Sequence, residues 1–532
     1  MADVLPTEAR ESLVRRASEG LAAVSFSRED GMRRLEDNEI QQIVHTIENR
    51  AYAAAGAAAT TTTGARERQE SVDLYVKMAA GMVLTAAKQG GIAGTQKARE
   101  TGQNTTGTNQ GSIIRPGVLD LHSDDRYFVD RERAEELLER MLREENTFHT
   151  VRLSTKGFGE ASAMVVAQAF QKHIQTLQHV DISDIISGRH QQEALKVLEI
   201  VTMALEGAPV KVLNLSDQAL GETGVRACAT ALQNPNIEEL YLENIGCSHD
   251  ACIALRELLA APEKLKKLQL HNNMTGDEGA MELAAIIRRA PNLEHLRITS
   301  SRVGEEGGQE IAQALMSSCK LKSLELQDNL LGESIAHLAS ALLSHPDLEV
   351  LNLSYNCMED EGADALATCL QSGKHQLREL HVAGNDISED GIRNLAVALG
   401  EAPALQVLNF AENALGDSGS LILSSQLFGE KCRSLTHLDI SNQDPPITKY
   451  GAVAVARCVA SKEHFQLLEM NGNSIQAEGV ELARELLAQA LGTDTCLGSL
   501  SENEESDAEE WEGEDVQDIS DITDAFLQNF KM

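Results

Sequence analysis

Leu321-Lys-Ser-Leu-Glu-Leu-Gln-Asp-Asn329 decides the fold of this chain. Leu324 and Leu326 alternate, so they face one side of a short strand. Asn329 stands where that strand ends, and its amide offers both donors and an acceptor to the backbone of adjoining loops. Gly332 and about two helical turns, Ala336 to Leu343, come next. A strand, a turn and one helix cannot bury their own apolar faces, but a stack of such units can.

The frame L-x-x-L-x-L-x-x-N recurs from residue 148 to about residue 490. Its first apolar position falls at Phe148, Leu177, Val210, Ile237, Leu265, Leu293, Leu321, Leu348, Leu377, Leu405, Leu435 and Phe465, at intervals of 27 to 33 residues. Glycine pairs mark the entry to several helices, as in Gly276-Asp-Glu-Gly279, Gly304-Glu-Glu-Gly307 and Gly416-Asp-Ser-Gly419. Twelve units of about 28 residues predict a solenoid. The expected fold class is α/β, with parallel strands on a concave side and helices on a convex side. A full helix per unit at this period resembles the ribonuclease-inhibitor type of leucine-rich-repeat horseshoe.

Outward from the repeats, composition changes. Residues 1–90 read as a small all-α domain preceding the horseshoe. Leu13, Val14, Ala17 and Leu21 form one helical stripe there, and Ile43, Ile47, Ala51 and Ala54 another. Both read as core. Residues 91–119 are rich in Gly, Thr and Asn, lack apolar periodicity and read as a flexible linker. Residues 120–495 read as the repeat domain, entered through a charged helix over 120–147. Residues 496–532 read as an acidic, disordered tail, with twelve Asp or Glu and no Lys or Arg between Glu502 and Asp524. Within it Ile519, Ile522, Phe526 and Phe530 are spaced for a short amphipathic helix.

Composition excludes several functions. The net charge is −36, which argues against a nucleic-acid binder and against a polybasic membrane anchor. No stretch reaches 18 apolar residues, and the acidic start Met1-Ala-Asp-Val does not read as a secretory signal. The nine cysteines lie between Cys228 and Cys496 and form no CxxC pair, so reduced, partly buried thiols are expected. There is no G-x-x-x-x-G-K-[ST], no H-E-x-x-H, no zinc-type Cys/His spacing and no G-x-S-x-G. The chain is therefore not expected to be an enzyme with its own substrate pocket.

Departures from the repeat point to a site. The inward ladder position holds Asn at 273, 329, 356, 385, 413 and 473, but Lys156, Ile185, Gln218 and Ile245 in the first four units. The preceding position, on the concave rim, holds Asp184, Asp217, Asn244, Asn272 and Asp328. The second interval is the longest, and its excess near Ser187-Gly-Arg-His190 predicts a protruding loop carrying Arg189. Spacing alone leaves two readings open: solvated loop tips, or a protein-binding rim.

The strings Val180-Asp-Ile-Ser-Asp-Ile-Ile-Ser-Gly-Arg189, Leu213-Asn-Leu-Ser-Asp217, Leu240-Tyr-Leu-Glu-Asn244 and Leu270-His-Asn-Asn-Met-Thr-Gly-Asp-Glu-Gly279 resemble the plant-type GTPase-activating protein for Ran. Glu11-Ser-Leu-Val-Arg-Arg16, Phe26-Ser-Arg28, Ile47-Glu-Asn-Arg-Ala51 and Leu74-Tyr-Val-Lys-Met-Ala79 are similar to the helical WPP domain of that family. Leu5-Pro6-Thr7 stands where its Trp-Pro-Pro signature would be, and the single Trp is Trp511.

The resemblance implies a regulator, not an enzyme: a GTPase activator that orders Ran's own catalytic glutamine and supports nucleocytoplasmic transport. It implies Asn244 and Arg189 as catalytic positions, and Asp217, Asn272 and Asp328 as Ran-binding positions. It implies no cofactor of the chain's own, since GTP and Mg belong to the partner GTPase. It also implies Ran in its GTP form and coiled-coil nuclear-envelope proteins as partners. The expected location is the cytoplasm, at the outer face of the nuclear envelope. The alternative is a leucine-rich-repeat interaction scaffold with no effect on hydrolysis.

Overall fold

A computed structural model describes residues 117–123, 126–143, 145–316, 321–372 and 376–503. The expected all-α domain, nearly all of the expected linker and the tail beyond Asn503 lie outside them.

The alternation at Leu324 and Leu326 does what the pattern requires. Both side chains are buried, and Leu324 aligns with Leu296 on one neighbouring strand and Leu351 on the other. The same register carries one apolar column across the sheet, from Val151 through Leu213, Leu268 and Leu408 to Leu468, all buried. Each such side chain contributes roughly 1.5–3 kcal/mol by leaving water. Thirteen parallel strands, Val118–Asp120 to Leu467–Glu469, follow one another in sequence order. Tyr127–Val129 and Lys156–Phe158 form a separate parallel pair. Helices such as Gly276–Arg288 and Glu305–Leu315 pack on one another behind the sheet. The repeat domain is thus an α/β horseshoe of the ribonuclease-inhibitor type.

The asparagine ladder fastens the turns. Asn329 Oδ1 accepts from the backbone N–H groups of Ser301 (3.1 Å) and Val303 (3.0 Å). Its Nδ2 donates to the carbonyls of Ile298 and Leu326, both at 2.8 Å. One buried amide thus meets four backbone groups of two adjoining turns. Gln443 is a rung that the Asn pattern does not reveal: it accepts from Leu415 N–H (3.2 Å) and donates to Phe410 O (2.9 Å). The ladder falters at Asn356, whose Oδ1 finds no partner among the described residues. There Asn329 N–H turns instead to Tyr355 O.

Both boundaries of the repeat domain move outward. Val118–Asp120 pairs with Thr150–Arg152, so Val118 and Leu119 belong to the sheet and not to a linker. The stretch 120–147 is not one helix. It holds the strand Tyr127–Val129 and two short helices, Arg131–Leu137 and Glu139–Leu142. The Asp130 side chain caps the first of these by accepting from Arg133 N–H at 2.8 Å. At the other end, Cys496 is buried, its carbonyl accepts from Leu468 N–H (2.7 Å), and Asn503 Oδ1 accepts from Asn473 N–H (2.8 Å). Residues 496–503 therefore cover the exposed edge of the last strand, where unpaired backbone groups would invite association. They are not tail.

All eight described cysteines are free thiols, and all but Cys357 are buried. Burial pushes the Cys228 thiol up to about 12, far from reactivity at neutral pH. Among the described residues no helix is long and apolar enough to cross a membrane.

Candidate functional site

Each strand must turn sharply into its ladder residue. The residue just before the rung makes that turn with positive φ: Asp184 (51°), Asp217 (60°), Asn244 (53°), Asn272 (51°), Ser300 (50°) and Asp328 (57°). Among residues with a Cβ, Asn and Asp tolerate this left-handed conformation best. Backbone geometry alone therefore accounts for much of the Asn/Asp preference on the rim.

It does not account for the contacts between those side chains. Asn272 Nδ2 donates to Asn244 Oδ1 at 3.1 Å, and Asn244 Nδ2 donates to Asp217 Oδ1 at 3.4 Å. All three side chains are exposed. Their backbones are pinned from behind: Asp217 N–H to Glu243 O (2.8 Å), Asn244 N–H to His271 O (2.6 Å) and Asn272 N–H to Thr299 O (3.1 Å). Gln218 and Asn273 hold the loops from inside. Gln218 Nε2 donates to Ile182 O (3.0 Å) and Leu215 O (3.1 Å), so Gln serves as a ladder rung here as Asn does elsewhere.

Asp328 takes the same backbone turn, but Ser300 stands between it and Asn272 in the order of units. It makes no side-chain contact with the three-residue row among the described residues. Asp184 does not belong to the row either. It is buried and ion-paired to Arg126 at 2.6 Å. Burial raises its carboxyl pKa while Arg126 opposes the rise.

Arg189 corrects the sequence expectation. Gly188 and His190 beside it are exposed, but its own side chain does not project and is only 19% exposed. Nη2 donates to Gly157 O (2.7 Å), Nη1 meets Glu193 Oε1 (3.3 Å), and the guanidinium lies 4.6 Å from the centre of the Phe128 ring. The extra residues of the second unit are folded back onto the first, and Phe128 supplies the platform. Nothing in the repeat frame marks Phe128, because it precedes the first recognisable unit. Arg189 and Asp217 nevertheless line one shallow cleft of about 440 Å³, together with Ile186, Gln218, Leu220 and Thr223. Arg189 is therefore close to the Asp217 end of the amide row.

Below the row, the concave floor is polar. Tyr241 donates its hydroxyl to Glu239 (2.7 Å), and Arg297 sits between Glu243 (3.3 Å) and Glu325 (3.8 Å). Burial and the neighbouring carboxylates push the Tyr241 pKa up, so it stays a neutral donor. Among the described residues no group of three or more His, Cys, Asp or Glu is placed to hold a metal ion. The row carries no nucleophile. What it offers is a fixed amide: after its two internal bonds Asn244 retains one N–H and one carbonyl lone pair for a partner.

Comparison with known proteins agrees with the fold. The family described as Leucine Rich repeat matches residues 344–367 and 374–396. The chain is 37% identical over 437 residues to RAN GTPase-activating protein 2 of Arabidopsis thaliana, covering 82% of this chain and 78% of that protein. It is 35% identical over 235 residues to RAN GTPase-activating protein 1 of the same plant, covering 44% and 41%. It is 25% identical over 292 residues to the ribonuclease inhibitor of Mus musculus, covering 54% and 58%.

Proposed function

Given that this chain belongs to the Ran GTPase-activating proteins, we propose that it accelerates GTP hydrolysis by Ran through the rim around Asn244. The observation that carries this reading is the hydrogen-bonded row Asp217–Asn244–Asn272, which presents an oriented amide on an exposed edge. In small GTPases a glutamine orients the attacking water, and hydrolysis is slow while that glutamine is unrestrained. An amide can donate to and accept from another amide at once, so Asn244 can hold the glutamine without being consumed. Holding glutamine and water in line lowers the barrier by positioning and preorganisation.

The chain itself is not the hydrolase: GTP and Mg stay with Ran. Asp217 and Asn272 flank the contact, and Asp328 extends it along the rim. The second reading, a repeat scaffold without effect on hydrolysis, is separated by one experiment. Full-length protein is added in catalytic amounts to Ran loaded with GTP, and phosphate release is followed. Acceleration supports the proposal, and an unchanged rate leaves the scaffold.

Arg189 acts as a buttress in this scheme. Its fork fastens the Gly157 carbonyl and its face covers Phe128, which shapes the cleft beside Asp217. Arg189→Ala is expected to lower kcat/KM on Ran by about tenfold or more. Arg189→Lys should not restore it, because an ammonium can neither span two acceptors in a plane nor stack like a guanidinium. Recovery of the full rate in the Lys variant would reject this role.

We place the protein in the cytoplasm, with residues 1–90 docking it to coiled-coil proteins at the outer nuclear envelope. A fluorescent fusion of the full chain that shows no rim at the nucleus would reject the docking.

A further inference from the structure

The hydrogen bonds of the rim row all run one way. Asn272 donates to Asn244, and Asn244 donates to Asp217. Direction in an amide chain is ordinarily a matter of which way each amide is turned. Here the last member is a carboxylate, which can only accept. Asn244 must therefore turn its NH2 toward Asp217, and its carbonyl toward the NH2 of Asn272. The two groups left for a partner then have a set order along the rim, N–H on the Asp217 side and lone pair on the Asn272 side.

Resting on the functional reading above, we infer that Asp217 and Asn272 are positioning residues whose role is to fix the direction of the Asn244 amide, and through it the direction of Ran's glutamine. The attacking water must give up a proton, so the glutamine has to present its carbonyl oxygen, an acceptor. Two paired amides fix each other's orientation. Reversing Asn244 reverses its partner and brings an NH2 to where the oxygen is needed. A row that merely stiffened the loop would work equally well in either direction.

The distinguishing variant exchanges the two ends: Asp217→Asn combined with Asn272→Asp. The net charge is unchanged, and both residue types tolerate the φ values of 60° and 51° found there. Every bond of the row can form, but in the opposite sense. In full-length protein the exchange is expected to lower kcat on Ran by about tenfold or more, with KM within about threefold and an unchanged thermal midpoint. A smaller fall in kcat overturns the inference.

Asn272→Gly is the uncharged second variant, suited to the same backbone. It frees the Asn244 carbonyl but leaves Asp217 to set the direction, so it should lower kcat by less than the exchange does, while leaving KM near wild type. A wild-type kcat in it would likewise overturn the inference.

An NMR readout is independent of Ran. In protein labelled with 15N-asparagine, the side-chain resonance absent from Asn244→Ala belongs to Asn244. Asp217→Asn should move it upfield, because a carbonyl polarises the N–H less than a carboxylate does. An unmoved resonance overturns the lock. A wild type that fails to accelerate Ran overturns the functional reading alone, and the resonance then decides the lock.

Discussion

Asn244→Gly is expected to slow activated GTP hydrolysis on Ran by about a hundredfold, equivalent to about 2.8 kcal/mol of barrier at about 1.4 kcal/mol per factor of ten. Glycine is the informative replacement. Asn244 sits at φ 53°, where an alanine pays about 1–2 kcal/mol of backbone strain and a glycine almost none. The side chain is exposed and bonds only to Asp217 and Asn272, so its loss leaves no buried group unpaired. Thermal stability should therefore stay within about 1 kcal/mol of wild type. A folded Asn244→Gly protein with more than about a third of the wild-type rate would reject Asn244 as the acting residue. Asn244→Ala should show the same kinetic loss with a slightly lower melting temperature. The comparison of the two separates chemistry from backbone strain.

The second large effect concerns stability. Asn385→Leu is expected to destabilise the repeat domain by about 2–6 kcal/mol. Asn385 Oδ1 accepts from Asn356 N–H (2.9 Å) and Met358 N–H (3.2 Å), and Nδ2 donates to Leu353 O (2.9 Å) and Ala383 O (3.2 Å). Its side chain is fully buried, so a leucine of similar size leaves the N–H groups of Asn356 and Met358 without water or partner, while the Leu353 and Ala383 carbonyls keep Asn356 Nδ2 and Tyr355 N–H. Each such group costs about 1–3 kcal/mol.

The faltering rung supplies the internal control. Asn356 is equally buried, but its Oδ1 is idle and only its NH2 is engaged, with Leu326, Leu353 and Ser354 carbonyls. Asn356→Leu should therefore cost clearly less than Asn385→Leu. Urea unfolding followed by circular dichroism measures both. Equal midpoints would mean that the ladder's accepting half contributes nothing.

Much of the site is legible in the residues alone. The rim positions are named by a fixed offset from each rung, and a change at that offset is visible in the bare sequence. What resisted reading was the behaviour of particular side chains. The long second unit predicts a protruding Arg189, but the side chain folds back because Phe128 and the Gly157 carbonyl give the guanidinium two partners. The stretch 120–147 predicts one charged helix, because Arg131-Glu-Arg-Ala-Glu-Glu136 dominates its pattern. The Tyr127–Val129 strand is only three residues long and gains its stability from pairing with Lys156–Phe158. Asp328 shared the motif of the row but not its contacts, since the serine at position 300 interrupts the series.

The sequence by itself determined the period, the class of fold, the ladder and the identity of the rim residues. These are properties of one unit, repeated, and a local pattern that recurs is readable without knowing what it packs against. Only the tertiary structure decided where the stack begins and ends, because edge strands are defined by the neighbour they pair with. It alone showed that Arg189 is held and not projected. It alone joined Asp217, Asn244 and Asn272 into a chain of bonds with one direction. Those partners lie 27 and 28 residues apart, and the sense of a hydrogen bond depends on how two side chains turn toward each other once the units are stacked.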